Sequence, residues 1–282
     1  MAAADRTDAR RMTFFDLERP DHAYLFAFLQ ADGHLSEQSR NRGRLTVELS
    51  ARDAPILEEF QRLCPYNSSI GYRTRNTNFK AEHTSAVWTV CAREFREELQ
   101  ALGLPAGRKS ETVAPPTVPF SERDYARGLV DADGSVGRTS QDLPFVSLTT
   151  KSDSTAAFFI NYVEHLTGAE RRVFRRNSRD RIYNITYARE EAVAVLKDLY
   201  FPGCLTLPRK RAAALQAAEW VRPAGVKKVI KRSWSQAEDD ILVAAPSIRA
   251  AARQLGRTEQ SCNLRRWRLN GSKPRTKASK AP

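Results

Sequence analysis

Two short stretches of this sequence, 101 residues apart, place an acidic residue and a glycine directly after a helical pattern. The first ends in Asp32-Gly33, and the second reads GLVDADG at residues 128–134. A carboxylate at a helix C-terminus is disfavoured by roughly 0.3–1 kcal/mol, because that end already carries partial negative charge. A single Asp-Gly pair is ordinary turn chemistry, with Gly33 as a left-handed cap. Its recurrence in equivalent places instead indicates a function.

The same spacing recurs along the chain and predicts a tandem duplication. Tyr24 and Tyr125 are 101 residues apart, as are Lys109 and Lys210, and VELS at 47–50 matches VSLT at 146–149 at an offset of 99. A repeat held in register predicts two copies of one unit, so that a single chain imitates a symmetric dimer.

Hydrophobic periodicity gives each copy the order helix, two strands, helix, two strands, helix. We predict a loose arm at 1–16, the first repeat at 17–113, an extended Pro-rich linker at 114–120 and the second repeat at 121–220. The predicted fold class is therefore α+β, with tandem pseudo-symmetric αββαββα repeats and antiparallel strands.

The C-terminal part of the chain is basic and helical. Residues 221–282 hold 15 Lys and Arg against 4 Asp and Glu, a net charge of +11. Residues 1–220 hold 31 Lys and Arg against 29 Asp and Glu, a net charge of +2. We predict a basic linker at 221–232, a small all-α helix-turn-helix domain at 233–271 and a disordered basic tail at 272–282. A basic segment of this kind favours a polyanionic partner, with a solvated face as the alternative.

The three-helix pattern, with Trp234 before the first helix and LGRT at 255–258, resembles a Myb or SANT-type repeat. The resemblance implies DNA contacts from the last helix, although such domains also bind proteins. The arginines expected to make the DNA contacts are Arg265, Arg266 and Arg268.

Composition excludes several classes of protein. The longest apolar run, around 24–29, is far shorter than a membrane helix needs, so we expect no membrane association and a cytoplasmic, nucleoid-associated location, with an organelle not excluded. The four cysteines form no CxxC pair, which argues against a disulfide framework or a zinc knuckle.

Small residues lie four apart in both motif helices, and this spacing predicts close helix packing. They share one face of each helix, and they are Ala27, Ala31, Gly128 and Ala132. Packing these faces together would bring Asp32 and Asp133 into proximity, and two desolvated carboxylates in contact repel each other unless protons or cations intervene. A hard cation, Mg²⁺ or Mn²⁺, is the expected cofactor. A calcium loop starting at Asp131 is excluded because Val136 stands where that loop needs glycine.

At these residues the sequence resembles the LAGLIDADG homing endonucleases in their single-chain, two-repeat form, over about 14–220. The resemblance implies a saddle of antiparallel strands that grips duplex DNA, with the last acid of each motif, Asp32 and Asp133, binding metal at the cleavage site. Lys109 and Lys210 occupy equivalent places at which the family often has a basic residue that supports catalysis, with a general phosphate clamp or a solvated lysine as the alternative.

The chain departs from the family pattern at two pairs of positions. Gln30 stands where the second motif has Asp131. At the end of the second strand, where the family commonly has a polar group that positions water, the chain has Ala51 and Thr150, and this difference is expected to slow the cleavage of one strand.

Strand parity predicts which side chains face the DNA groove, because alternate residues of a strand share a face. The predicted DNA-binding set is Arg40, Arg42, Arg44, Arg73, Arg75, Arg172, Arg176, Asn184 and Thr186. Arginine and asparagine can read guanine and adenine edges, and other residues of the set would meet phosphate or solvent.

The sequence therefore predicts a monomeric, site-specific, metal-dependent endonuclease of double-stranded DNA with no small-molecule cofactor. Two alternatives stay open: a non-cleaving DNA-binding regulator built on the same core, and an intron RNA maturase.

Overall fold

The computed structural model describes residues 14–36, 42–76, 82–170, 176–177, 179–226 and 234–270. The described residues leave out Arg40, Arg172 and the tail at 272–282. They also leave out most of residues 171–176, for which the alternating sequence pattern predicts a strand. The chain divides into two compact units, Met1–Pro223 and Ala224–Pro282.

The first half of the larger unit is a four-stranded antiparallel sheet with three helices. Its strands follow the order β1-β2-β4-β3. In chain order the elements are α1 (Pro20–Asp32), β1 (His34–Ser36), β2 (Arg44–Ser50), a short 3-10 helix (Ala51–Asp53), α2 (Ala54–Leu63), β3 (Ser68–Arg75), β4 (His83–Val90) and α3 (Arg93–Ala101).

The second half contains a three-stranded antiparallel sheet of order β5-β6-β7. Its elements are α4 (Glu122–Asp133), β5 (Gly134–Arg138), β6 (Pro144–Thr150), α5 (Asp153–Thr167), β7 (Tyr183–Ala188), α6 (Glu190–Leu199) and α7 (Pro208–Ala218). The sequence pattern did not predict α7, whose first position is Pro208 and whose remainder is rich in alanine. Proline at a helix start and alanine within it both favour the helix.

Leu45, Val47 and Leu49 alternate with polar residues, a pattern that predicts one buried and one polar face for β2, and the structure agrees. Leu45 and Val47 are buried, and they pair with Val90 and Trp88 of β4. The intervening residues of β2, Thr46 and Glu48, share the opposite face, so one face of the sheet packs on the core and the other is polar.

Helix α1 is the centre of the core. Every residue from 22 to 30 is buried, so α1 has apolar surroundings on all sides rather than a single apolar stripe. Aromatic rings from other elements pack around it, including those of Phe60 and Trp88, which lie next to each other with ring centroids 5.8 Å apart.

The two motif glycines do not adopt the left-handed conformation expected of a helix cap. Gly33 has φ −70° and ψ 142°, and Gly134 has φ −104° and ψ −179°, both extended. A Cβ atom on Gly33 would lie 2.5 Å from the Leu29 carbonyl oxygen, and one on Gly134 would lie 2.5 Å from that of Ser147. Crowding at the helix-to-strand junction therefore requires glycine. The prediction that Gly33 is a left-handed helix cap was wrong.

The last residues of the predicted loose arm are packed. Phe15 is buried and stacks on Phe95 of α3 with ring centroids 5.6 Å apart. Its backbone N–H donates to the Glu98 carboxylate at 2.7 Å. The Pro-rich stretch at 114–120 contains no helix or strand.

The smaller unit contains three short helices, α8 (Gln236–Ala244), α9 (Ile248–Leu255) and α10 (Glu259–Leu269). The SQAE pattern at residues 235–238 predicts a capping box, and Ser235 and Glu238 form it. A small core of Leu242, Ala251 and Cys262 holds the helices together.

Among the described residues, no helix has the length and apolar character needed to cross a membrane. The four cysteines are free thiols.

Candidate active site at the paired helix ends

Helices α1 and α4 pack directly against each other through their small residues. A Cβ atom added to Gly128 would lie 2.5 Å from the Tyr24 carbonyl oxygen and 2.7 Å from the Ala27 Cβ atom. Ala31 and Ala132 follow one turn later on their helices and are partly buried. The absence of a side chain at Gly128 thus allows the two backbones to approach closely.

Asp32 and Asp133 stand at the ends of these two helices. Both residues retain substantial solvent exposure, yet each carboxylate lies among crowded protein atoms at the helix junction. This partial desolvation raises the pKa of Asp133 to about 6, and the charge of Asp32 adds to the effect. Desolvation likewise raises the pKa of Asp32, against the attraction of Lys109 and Lys210. The structure therefore brings the two predicted acids close enough for the charge of Asp32 to affect the ionisation of Asp133.

Lys109 and Lys210 are buried beside the two acids, at 9% and 5% exposure. Burial lowers the pKa of each to about 8, and Asp32 and Asp133 oppose that shift in both cases. Lys109 lies in the turn after α3, whereas Lys210 lies in the first turn of α7.

The two ammonium groups bind the carbonyl ends of the motif helices. Lys109 Nζ donates to the carbonyl oxygens of Gln30 and Ala31. Lys210 Nζ donates to those of Val130, Asp131 and Gly134, at 2.7, 2.6 and 2.8 Å. A cation at a helix C-terminus offsets the negative end of the helix dipole, so each lysine reduces the cost of placing a carboxylate there.

Asp131 is the buried anchor of this region, and sequence reasoning gave it no role. Its side chain is almost fully buried, with the residue 1% exposed. It accepts four hydrogen bonds, from the hydroxyls of Tyr24 (2.7 Å), Tyr200 (2.8 Å) and Thr206 (2.7 Å) and from the backbone N–H of Leu207 (2.8 Å). It therefore joins α1, the end of α6 and the start of α7.

Gln30 has a related role at the equivalent position of α1. Its side-chain oxygen accepts from the Tyr125 hydroxyl of α4, and its amide nitrogen donates to the Ala114 carbonyl oxygen at 2.9 Å. Each motif helix thus presents a tyrosine to the polar residue of the other helix. The 101-residue spacing of the two tyrosines was the signal in the sequence that pointed to this pairing.

The described residues contain no cluster of three or more His, Cys, Asp or Glu side chains suited to a metal ion. Asp32 and Asp133 are the two carboxylates at this site. A hard divalent cation bound by both would complete its shell with oxygen atoms from substrate and water.

The predicted groove-facing residues lie in different environments. Arg42, Arg44 and Arg73 are exposed. Arg75 forms an ion pair with Glu48 at 2.6 Å, and Arg176 forms one with Asp153 at 2.9 Å.

Asn184 and Thr186 are exposed on β7, on the face opposite the buried Ile185. The side-chain oxygen of Asn184 lies 3.2 Å from the Thr149 hydroxyl of the neighbouring strand. The prediction that Asn184 and Thr186 share the solvent-facing side of their strand is therefore confirmed.

In the smaller unit, two of the three predicted DNA-contacting arginines bind within the unit itself. Arg265 Nε donates to Asp239 at 2.7 Å, and Arg266 donates to the Ala245 carbonyl oxygen at 2.9 Å. Arg268 is exposed. The face of α10 that is open to solvent carries instead a set that sequence reasoning missed, namely Gln260, Asn263, Leu264 and Trp267. The i, i+3, i+4, i+7 spacing of these four residues was the available signal.

Comparison with known proteins identifies the fold. No family model matches the chain. Among solved structures, the homing endonuclease I-WcaI bound to its DNA recognition sequence matches with a TM-score of 0.50 at 11% identity, covering 71% of this chain and 88% of that chain. The N-terminal LAGLIDADG domain of DUF199/WhiA matches with a TM-score of 0.41 at 12% identity, covering 76% of this chain and 88% of that chain. The likeness to I-WcaI shows that the mixed helices and antiparallel sheets of the present chain share the fold of that homing endonuclease.

One curated relative matches part of the chain. It is the tRNA-splicing ligase RtcB of Methanopyrus kandleri, 32% identical over 149 residues. The match spans 45% of this chain and 14% of the relative's length.

Proposed function

We propose that this chain is a divalent-metal-dependent, site-specific endonuclease that cuts both strands of double-stranded DNA as a monomer. One observation carries the proposal: Asp32 and Asp133 stand at the adjacent ends of two closely packed helices, with Lys109 and Lys210 buried beside them.

The proposal includes a tandem pseudo-symmetric arrangement of the two halves. The contacts of Lys109 with the end of α1 and of Lys210 with the end of α4 support it, as do the reciprocal bonds of Tyr24 and Tyr125. Duplex DNA has two strands related by local two-fold symmetry, so a protein with paired halves can place equivalent groups near one phosphate of each strand.

The residues present fit a Mg²⁺ or Mn²⁺ ion. Burial and the charge of Asp32 raise the pKa of Asp133, and a bound divalent cation would relieve the repulsion between the two carboxylates. Asp32 and Asp133 would hold it. When bound, such an ion polarises a phosphate oxygen and makes a bound water a better nucleophile.

The protein's own groups complete the chemistry. Because Lys109 and Lys210 neutralise the helix ends, both acids can remain ionised at a place where the helix dipole would otherwise disfavour them. Their positive charges also stabilise negative charge that develops on phosphate oxygens nearby.

Exposed polar residues of the two sheets would contact the DNA. Arg44 and Arg73 are exposed on strands of the first sheet, Arg42 is exposed just before β2, and Asn184 and Thr186 are exposed on β7. The fold likeness to a homing endonuclease bound to its DNA recognition sequence supports DNA as the partner.

The smaller unit, which we interpret as a Myb-like helix-turn-helix domain, would extend the DNA footprint. Arg268 and the open face of α10 are its candidate contacts, and the net charge of +11 over residues 221–282 favours a polyanion.

The test is incubation of the full chain with Mg²⁺ and a randomised duplex library, followed by sequencing of the ends produced. We expect ends that share one sequence. The double substitution Asp32→Asn with Asp133→Asn should abolish cutting and preserve binding. Asp142→Asn is the matched control, because Asp142 is exposed and has positive φ, which asparagine tolerates.

Three results would contradict the proposal. Cutting that persists in the double Asn variant would remove the two acids from the reaction. Binding without cutting by the wild type would support the regulator alternative, and selective binding of structured RNA in a parallel arm would support the maturase. Binding should also weaken steeply with salt, because phosphate contacts release counterions.

A further inference from the structure

A cleft of about 190 Å³ opens beside Asp133 and is built from both halves of the larger unit. Lys109 and Ser110 line it from the turn after α3, and residues 149–151 line it from the end of β6. The cleft therefore adjoins one of the two candidate metal ligands and contains more positive than negative charge.

Lys151 is the residue of this cleft that the proposed reaction leaves without a role. It is half-buried, and within the described ranges no hydrogen bond or ion pair engages its ammonium group. The Lys109 ammonium group, by contrast, already donates two hydrogen bonds to carbonyl oxygens at the end of α1. An ammonium group with free donors, in a cleft next to a carboxylate that would bind metal, is suited to a phosphate oxygen.

Thr150 adds a hydroxyl at the same place. It lines the cleft directly before Lys151, and its Oγ1 atom accepts the Ser152 backbone N–H at 3.1 Å. That bond leaves the hydroxyl proton free to donate, so Thr150 can orient a water molecule or a phosphate oxygen.

The corresponding positions of the first half are chemically different. At the end of β2 the chain has Ala51, which has no hydroxyl, followed by Arg52. The Arg52 side chain is 70% exposed, and its Nε atom lies 3.9 Å from the Asp53 carboxylate. Asp53 is itself buried and accepts two bonds from Arg209 Nε at 2.8 and 3.1 Å. The first half thus has an exposed arginine beside a carboxylate that Arg209 already engages, and no hydroxyl, where the second half has a half-buried ammonium group and the Thr150 hydroxyl.

We propose that Lys151, assisted by Thr150, is a further catalytic residue that serves only one of the two strand cuts, so that the protein nicks one strand before the other. This inference rests on the proposed endonuclease function. In each cut a water oxygen bonds to phosphorus and the bond from phosphorus to a sugar oxygen breaks. That sugar oxygen leaves with a proton, and the remaining proton of the water is released. Lys151 stabilises the charge on the non-bridging oxygens at one of the two phosphates.

The experiment uses a duplex recovered from the library selection, with a different fluorophore on each strand, and follows both cuts over time in Mg²⁺. We expect the wild type to accumulate a nicked intermediate cut on one particular strand. Lys151→Met should slow that cut by about 100-fold or more, the order of effect typical of a lost donor to an oxyanion, and leave the other cut within about 2-fold.

Matched variants isolate the cause. Arg52→Met makes the corresponding change in the first half, and Lys197→Met removes an exposed lysine of α6; neither should change the order of cutting. Lys151→Arg should retain most of the fast cut because it keeps the charge. Thr150→Ala is the second variant at the cleft and should slow the same strand as Lys151→Met. Circular dichroism checks that each variant is folded.

The possible results distinguish a failure of the Lys151 role from a failure of the endonuclease function. Equal cutting of both strands by the wild type, or equal slowing of both by Lys151→Met, overturns this inference and leaves the endonuclease function standing. A wild type that cuts neither strand overturns both.

Discussion

The hydrogen-bonded carboxylate of Asp131 provides a sharp test of how the two halves are held together, through the substitution Asp131→Asn. The change preserves shape and replaces a buried carboxylate with a neutral amide. All four donors to Asp131 come from other elements, at separations of 69 to 107 residues along the chain. The substitution therefore tests tertiary contacts without changing the local helix.

The magnitude follows from the geometry. Three donors meet one carboxylate oxygen, Oδ2, and Tyr200 meets the other. A hydrogen bond to a charged group contributes about 1 kcal/mol more than one to a neutral group, so three bonds retained by the amide oxygen lose about 3 kcal/mol. The Tyr200 hydroxyl can reverse and accept from the new amide group. Lys210, whose charge Asp131 supports, also loses its buried counter-charge. The total should be about 3–5 kcal/mol, as for the loss of one partner of a buried charged pair.

Urea denaturation of the full chain, followed by circular dichroism, measures this loss, and hydrogen exchange of the α1 and α4 amides assigns it to the helix interface. Asp180→Asn is the control, because Asp180 makes an exposed ion pair with Arg179 and should cost less than about 0.5 kcal/mol. A loss below about 1 kcal/mol for Asp131→Asn would show that the carboxylate does not hold these elements together. Hydrogen exchange that becomes faster only outside α1 and α4 would show the same.

Three further predictions concern packing, ionisation and capping. Gly128→Ala should destabilise the chain by about 1–3 kcal/mol in the same denaturation assay, because the new Cβ atom would lie 2.5 Å from a backbone oxygen of α1. Gly71→Ala is the control: Gly71 has open space around it, so its free energy of unfolding should change by less than about 0.5 kcal/mol. In metal-free protein, NMR titration of the Asp133 carboxyl carbon should give a midpoint near pH 6, and Asp32→Asn should lower that midpoint because it removes a neighbouring negative charge; an unchanged midpoint would contradict the coupling. The raised folded-state pKa means that this carboxyl disfavours folding increasingly as pH rises from about 4 to about 6, so Asp133→Asn should reduce that dependence. Ser235→Ala should cost about 1 kcal/mol, seen as faster hydrogen exchange in the first turn of α8 and unchanged exchange in α1.

Local pattern was sufficient to predict the helices that carry the two acids, the alternation of β2 and β7, and the Ser235 capping box. These features depend on residues within a few positions of one another, where periodicity and capping chemistry operate. The same reasoning failed at α7, since a short helix that begins with Pro208 has a weak apolar pattern and is fixed by packing.

Site residues divide in the same way. The repeated Asp-Gly ends and the two lysines could be found from their spacing alone. The roles of the arginines in α10 could not, because the partners of Arg265 and Arg266 are on α8, at separations of 26 and 21 residues. A charged side chain on a helix surface has the same sequence signature whether it faces solvent or binds a neighbouring helix.

Residue type and spacing were enough to predict two matched acidic helix ends, each followed by an antiparallel strand. The roles of the residues around those acids became apparent only from the folded chain. Asp131 is buried in a hydrogen-bond network, whereas Asp133 is exposed to solvent. Lys109 and Lys210 donate hydrogen bonds to the carbonyl ends of the motif helices. The physical reason is that burial and hydrogen bonding depend on donors brought from distant parts of the chain, whereas residue type and spacing record only the local geometry.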